Sequence, residues 1–307
     1  MGSRMKESSK DQPDLAIELI AKAVITSILA GMVIAIGITA VSSNSFAQQV
    51  LQENQVWTSA GLRERGQPVI PTFEGWYTNS DGTHSLCYGY FNLNTKQPLD
   101  IPHGELNRME GVEGDVMAAL APPTHFDPTP LAYRRKFCVF TVQVPANFSK
   151  ESRVTWHLGS DGQTFSAAGH ILPAFFLDEP ETRGRLKKAP LISISEGGEA
   201  RRGRNGVYQT DIVDAVAGKP ADLSIWRIES ETDEVWVGWS KYSGPGEVTF
   251  SNAEYEIEGA AVVSTETEAT FSVPGEYVVY MQAIESIADF EFFCCHTNVY
   301  LRVNVSQ

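Results

Sequence analysis

Apolar and polar residues alternate most regularly toward the C-terminal end of this chain. The pattern runs through Trp239-Ser240-Lys241-Tyr242, Val248-Thr249-Phe250, Ala269-Thr270-Phe271-Ser272-Val273 and Val299-Tyr300-Leu301-Arg302-Val303-Asn304-Val305, with Gly and Pro between the pieces. A period of two over short runs bounded by turn residues predicts antiparallel strands with one buried face. The expected strands of residues 191–307 are Leu191–Ser195, Ala221–Ile228, Glu234–Trp239, Glu247–Phe250, Glu268–Ser272, Gly275–Ala283 and Phe290–Val305. Seven short strands at that spacing suit an immunoglobulin-like sandwich.

The preceding part reads the same way. Pro71 to Tyr77 and His84 to Asn92 flank Asn79-Ser80-Asp81-Gly82, which predicts a hairpin. Phe137 to Pro145 is the strongest strand signal of this half. Val154–Leu158 and Gln163–Ala167 form a second hairpin around Ser160-Asp161-Gly162. Asn94 to Leu120 reads as irregular, and no stretch predicts an amphipathic helix. The fold class is therefore all-β, with two β-sandwich domains. The first spans 68–178 and the second, immunoglobulin-like, spans 191–307. A charged, Pro-containing linker at 179–190 separates them.

The first fifty residues differ. Arg4, Lys6 and Lys10 precede an apolar run over 23–41, and Ser45-Phe46-Ala47 supplies small residues at −3 and −1. These are the parts of a signal peptide. The run also has nearly the ~20 residues that span a bilayer, so residues 1–47 are read as a cleaved leader or a membrane anchor. Residues 48–67 are read as a tether. Both readings export the rest of the chain to the periplasm or beyond, and an uncleaved helix at 23–41 would hold it to the inner membrane.

Of 307 residues, 24 are Lys or Arg and 38 are Asp or Glu, for a net charge of −14. Such acidity argues against nucleic acid and against anionic lipid surfaces, which need basic patches. Membrane contact is expected only through the N-terminal segment.

The second half resembles the PKD-like immunoglobulin-type modules of exported bacterial proteins, through Trp239-Ser240-Lys241, Ser243-Gly244-Pro245-Gly246, Val248-Thr249-Phe250 and Pro274-Gly275-Glu276-Tyr277-Val278-Val279. It departs from them at Ala283-Ile284-Glu285-Ser286, where an acidic turn is usual, and at the adjacent cysteines. The first half is similar to a domain that precedes such modules in a group of exported bacterial proteins, on Phe73-Glu74-Gly75-Trp76-Tyr77, Asp81-Gly82-Thr83, Tyr88 to Asn94 and Pro122 to Phe126. The resemblance implies the two-domain layout and a spacer, adhesion or partner-binding role. It transfers no catalytic residue.

Candidate chemistry is sparse. No Gly-x-Ser-x-Gly, His-Glu-x-x-His, P-loop or dinucleotide motif occurs, and no cofactor is expected. Four cysteines in an exported chain suggest disulfides, and Cys87–Cys138 is the expected bridge. Cys294-Cys295-His296 offers two thiols and an imidazole for a soft metal, a vicinal disulfide, a cross-domain or intermolecular bridge, or only a buried cysteine with an unpaired neighbour. His84, His103 and His125, with Glu105, lie near loops but lack ligand spacing. Arg201-Arg202-Gly203-Arg204-Asn205-Gly206 reads as an exposed loop.

Trp76, Tyr77, Tyr88 and Tyr90 crowd one hairpin, either as an exposed binding row or as core. The chain is read as a non-catalytic exported interaction or structural protein with a protein partner in the cell envelope, as an accessory subunit of a complex there. A glycan-binding or adhesion protein using the hairpin aromatics, and a metal or redox protein using Cys294, Cys295 and His296, are the alternatives.

Overall fold

The computed structural model describes residues 63–128, 135–177, 188–209, 211–230, 234–258, 263–285 and 296–307. The N-terminal segment, including the apolar run at 23–41, and most of the linker lie outside the described residues. The described residues all fall within one compact unit, Thr58–Gln307. The chain is all-β: among the described residues there is no α-helix, and a single 3-10 turn covers Pro173–Phe175.

In the first half, β1 (Val69–Thr78), β2 (His84–Asn92), β7 (Lys136–Val144) and β5 (Met117–Ala118) form one sheet in the order β1-β2-β7-β5. A second sheet has β4 (Asn107–Glu110), β8 (Val154–Ser160) and β9 (Gln163–Gly169) in the order β4-β8-β9. A short ribbon pairs β3 (Leu99–Asp100) with β6 (His125–Phe126). Thus the stretch read as irregular, 94–120, contains three short strands.

The second half stacks two larger sheets. One has the order β10 (Leu191–Ser193), β13 (Pro220–Glu229), β17 (Val263–Phe271), β15 (Val248–Phe250). The other has β11 (Val207–Tyr208), β19 (His296–Ser306), β18 (Gly275–Glu285), β14 (Glu234–Ser243) and β16 (Glu254–Glu258). There β11 and β12 (Val213–Val216) both run parallel to β19, while the other pairs are antiparallel. This is the immunoglobulin-like sandwich the alternation predicts.

Its core is apolar. Val299, Leu301, Val303 and Val305 of β19 meet Val279 and Met281 of β18, Val237 and Trp239 of β14, and Phe271 of β17. The other face of β19 changes character along its length. Arg302 and Asn304 are exposed, whereas His296, Asn298 and Tyr300 are buried. The difference arises because the first half covers that end. Tyr300, with Tyr242 and Tyr280, belongs to the same apolar cluster as Trp156, Phe140, Phe126 and Leu86 of the first half.

The seam between the halves is held by polar groups. Strand β7 bulges opposite Gly89, and Cys138 there has φ +47°, a left-handed conformation that costs a non-glycine residue roughly 1–2 kcal/mol. Three successive carbonyls at the bulge accept bonds from the second half. Gln282 Nε2 donates to Phe137 O (3.3 Å), Asn298 Nδ2 to Cys138 O (2.9 Å), and Tyr300 Oη to Val139 O (2.6 Å). A disulfide joins Cys138 to Cys87 of β2, with Cα atoms 5.1 Å apart, as the sequence led us to expect.

A second anchor comes from the 203–206 loop. Asn205 Oδ1 accepts from Tyr77 Oη (2.8 Å), Ser85 Oγ (2.7 Å) and Thr141 Oγ1 (3.0 Å). Its Nδ2 donates to Asn79 Oδ1 (2.9 Å). Gly206 has φ +88°, and a Cβ there would lie 2.4 Å from the Tyr300 ring, so only glycine brings Asn205 this close. The reading of 201–206 as an exposed loop is corrected here. Arg204 is fully buried, with its guanidinium 5.6 Å from the Tyr77 ring centre and 5.9 Å from that of Phe137. A cation stacked on aromatic faces is stabilised where water is excluded.

Candidate functional site

Of the hairpin aromatics, the structure buries three. Tyr77 is 2% exposed and is tied to Asn205. Tyr88 donates its hydroxyl to Val154 O (2.7 Å) and stacks on Phe140. Tyr90 meets Phe126 edge to face and accepts a bond from Asp127 N (3.2 Å). Burial pushes the phenols of Tyr88 and Tyr90 well above their ordinary range. An exposed row along this hairpin is therefore not formed. Tyr88 and Tyr90 pack into the core of the first half and Tyr77 meets the 203–206 loop, and both faces of β2 are covered.

Trp76 alone keeps contact with solvent, at the edge of the core that holds Tyr88 and Tyr90. After β9 the chain turns back and lies along β1. Leu177 N donates to Trp76 O (2.7 Å), and Trp76 Nε1 donates to Leu172 O (2.8 Å). Gly75 makes the approach possible: φ is +137° at a bulge of β1, and a Cβ would meet Phe175 O at 2.4 Å. The returning segment carries five consecutive exposed apolar residues, Leu172-Pro173-Ala174-Phe175-Phe176. Phe175 and Phe176 are 43% and 51% exposed.

Aromatic rings brace this patch from below. Phe176 meets Trp76 at 4.9 Å and Trp76 meets His84 at 5.1 Å, both with an interplanar angle of 79°. Phe175 contacts His170 (4.6 Å) and Phe73 (5.9 Å). Desolvation, helped by the charge of Arg153, lowers the pKa of His170, so the ring beneath Phe175 is mainly neutral near neutral pH. Sequence reasoning found Trp76 but missed Leu172, Phe175 and Phe176. The available signal was an apolar run abutting the charged linker.

The metal reading divides. Cys294 and Cys295 lie outside the described residues. His296 is 2% exposed, its ring 5.8 Å from that of Phe137, and its Nε2 has no hydrogen-bond partner. Burial, then the nearby Arg204 charge, hold its pKa well below the usual range, so the ring is neutral. His84 faces Thr78 Oγ1 (3.2 Å), His103 faces Pro122 O (2.7 Å), and His125 faces Asp100 and Asp127. Among the described residues, no three His, Cys, Asp or Glu side chains are placed to hold one metal ion.

No protein-family model and no curated protein matches the chain. Among solved structures, it is similar to the D0-D1 domain of intimin, at 10% identity and a TM-score of 0.25, over 77% of this chain and 100% of that one. It is also similar to domains 4 and 5 of the S-layer protein SbsC, at 12% identity and a TM-score of 0.22, over 78% and 98%. A third is CfaE, the adhesive subunit of the CFA/I fimbria of enterotoxigenic Escherichia coli, at 5% identity and a TM-score of 0.23, over 80% and 82%. Likenesses this loose carry no argument about what the chain binds.

Proposed function

We propose that this is an exported, non-catalytic interaction protein that docks a protein partner of the cell envelope through residues 172–176. The observation that carries the reading is the run of five exposed apolar residues braced on β1. Consecutive exposed apolar side chains raise the cost of solvation unless something covers them. Ring geometry favours a protein over a glycan. Trp76 and Phe176 meet edge to face, so they do not share the plane of a flat sugar platform.

In this reading the chain comprises two sandwich domains, 68–178 and 191–307, with a linker at 179–190. Residues 1–47 serve as leader or inner-membrane anchor. A disulfide fits an oxidising compartment.

A photo-crosslinking side chain placed at Phe176, in cells, tests the docking face. One discrete protein adduct is expected, abolished by Phe175→Ser and absent with the crosslinker at Trp226, an exposed residue of β13. Equal adducts from both positions would refute it. Glycan binding lost on Trp76→Ala would move the assignment to carbohydrate.

A further inference from the structure

Both ring nitrogens of His125 face carboxylates. Nδ1 lies 2.8 Å from Asp100 Oδ1, and Nε2 lies 3.1 Å from Asp127 Oδ1. A neutral imidazole has one N–H and one lone pair. It can serve one carboxylate but turns a lone pair on the other, whereas the imidazolium donates to both. The geometry thus asks for the doubly protonated ring.

A third charge enters from the second sandwich. Lys241 Nζ of β14 lies 2.8 Å from the same Asp100 oxygen, and its side chain is only 3% exposed. Its remaining donors go to Gly246 O (2.8 Å) and Gly244 O (3.4 Å). The other titratable groups facing the cluster are Lys136 of β7, which acts on Asp127, and the Tyr90 hydroxyl of β2. Beside it, two bonds cross the seam directly: Thr124 N to Tyr242 O (3.0 Å) and Tyr242 Oη to Ala121 O (2.7 Å).

We propose that Asp100, His125, Asp127 and Lys241 form a proton-dependent latch between the two sandwiches, closed while His125 carries two protons and slackened when it loses one. Loss of that proton leaves a lone pair against a carboxylate at the point where the β3–β6 ribbon meets β14.

The direction of the pH effect follows from the local environment. Burial and, less strongly, the Lys241 charge would lower the pKa of His125, but its bonds to Asp100 and Asp127 outweigh both and raise it. Its contribution is therefore complete below the ordinary histidine value of about 6.5 and disappears as pH rises through the raised one. For Asp100, burial is likewise outweighed, by His125 and Lys241, and its pKa falls to about 2; Asp127 is also lowered. These contributions are complete above the ordinary aspartate value and vanish as pH falls toward the lowered ones. The latch is therefore tightest on the mildly acidic side of neutrality.

Amide exchange at Thr124 in the full chain, corrected for intrinsic rate, reads the latch. Wild-type exchange is expected to quicken about tenfold between roughly pH 6 and roughly pH 9, the equivalent of one charge-assisted hydrogen bond. In His125→Gln, exchange should be fast and flat over that range. Should that variant not fold, Asp127→Asn serves. Removing one carboxylate lowers the pKa of the ring, so the transition moves to lower pH. A flat wild-type profile overturns the latch. So does a His125→Gln profile matching wild type, or an unmoved midpoint in Asp127→Asn.

Discussion

The apolar core of the second sandwich and the seam between the halves are both buried, yet they are built from opposite materials. The core is Val, Ile, Leu, Ala, Met and Phe, with Trp239 and Tyr277. At the seam, Gln282, Asn298, Tyr300, Asn205 and Lys241 bond to specific atoms of the first half, and Arg204 stacks on its rings. Dispersion and water exclusion do not depend on direction, so the core supplies stability without fixing an orientation. Hydrogen bonds between buried groups add little net energy, but a misplaced partner costs much. The seam therefore fixes how the sandwiches meet more than how firmly each one folds.

Substitutions can break this contrast. The largest effect is expected from Phe271→Ala, fully buried in the core. Urea unfolding should show about 3–5 kcal/mol lost, and a loss below about 1 kcal/mol would mean that this core is not the source of stability. Next comes removal of the disulfide by Cys87→Ala with Cys138→Ala. The bridge closes a separation of 51 residues, and its loss should cost about 2–4 kcal/mol in the same assay.

Asn298→Ala should cost about 1–3 kcal/mol. It strips donors from Cys138 O and Arg204 O and an acceptor from Tyr280 Oη. Unlike Phe271→Ala, it should raise amide exchange at seam residues before global unfolding. Equal loss of protection throughout the second sandwich would erase the distinction. The smallest effect belongs to Glu199→Ala. Its bond to Arg201 joins side chains 73% and 62% exposed, so melting should shift by the equivalent of less than about 1 kcal/mol.

Much of this architecture was legible in the sequence because burial on one face imposes a period of two. Strand β13 and the later part of β19 follow from that rule, whereas β2, β7 and most of β18 are buried on both faces and were legible as β-branched and aromatic runs between turn signals. Strands β3, β5 and β11 escaped it, since two residues cannot display a period. Strand β16, Glu254-Tyr255-Glu256-Ile257-Glu258, did alternate and was missed. The seam was not legible. Asn298 and Tyr300 sit at positions that alternation assigns to solvent, and Arg204 sits in a basic, Gly-containing loop. Only the presence of the first half buries them. The exposed apolar patch was half legible: Trp76 stood out among aromatics, but Phe175 and Phe176 come from a return of the chain that depends on Gly75.

The bulge at Cys138 has a consequence for how this protein can be taken apart. Its three outward carbonyls are satisfied by side chains more than 140 residues away in sequence. The first half, made alone, would carry bare acceptors where the second half had been. The second half alone would expose Tyr242, Tyr280 and Tyr300 to water. Each sandwich is therefore a poor module for shuffling: a recombined gene that moved one would have to carry the matching wall of the other with it.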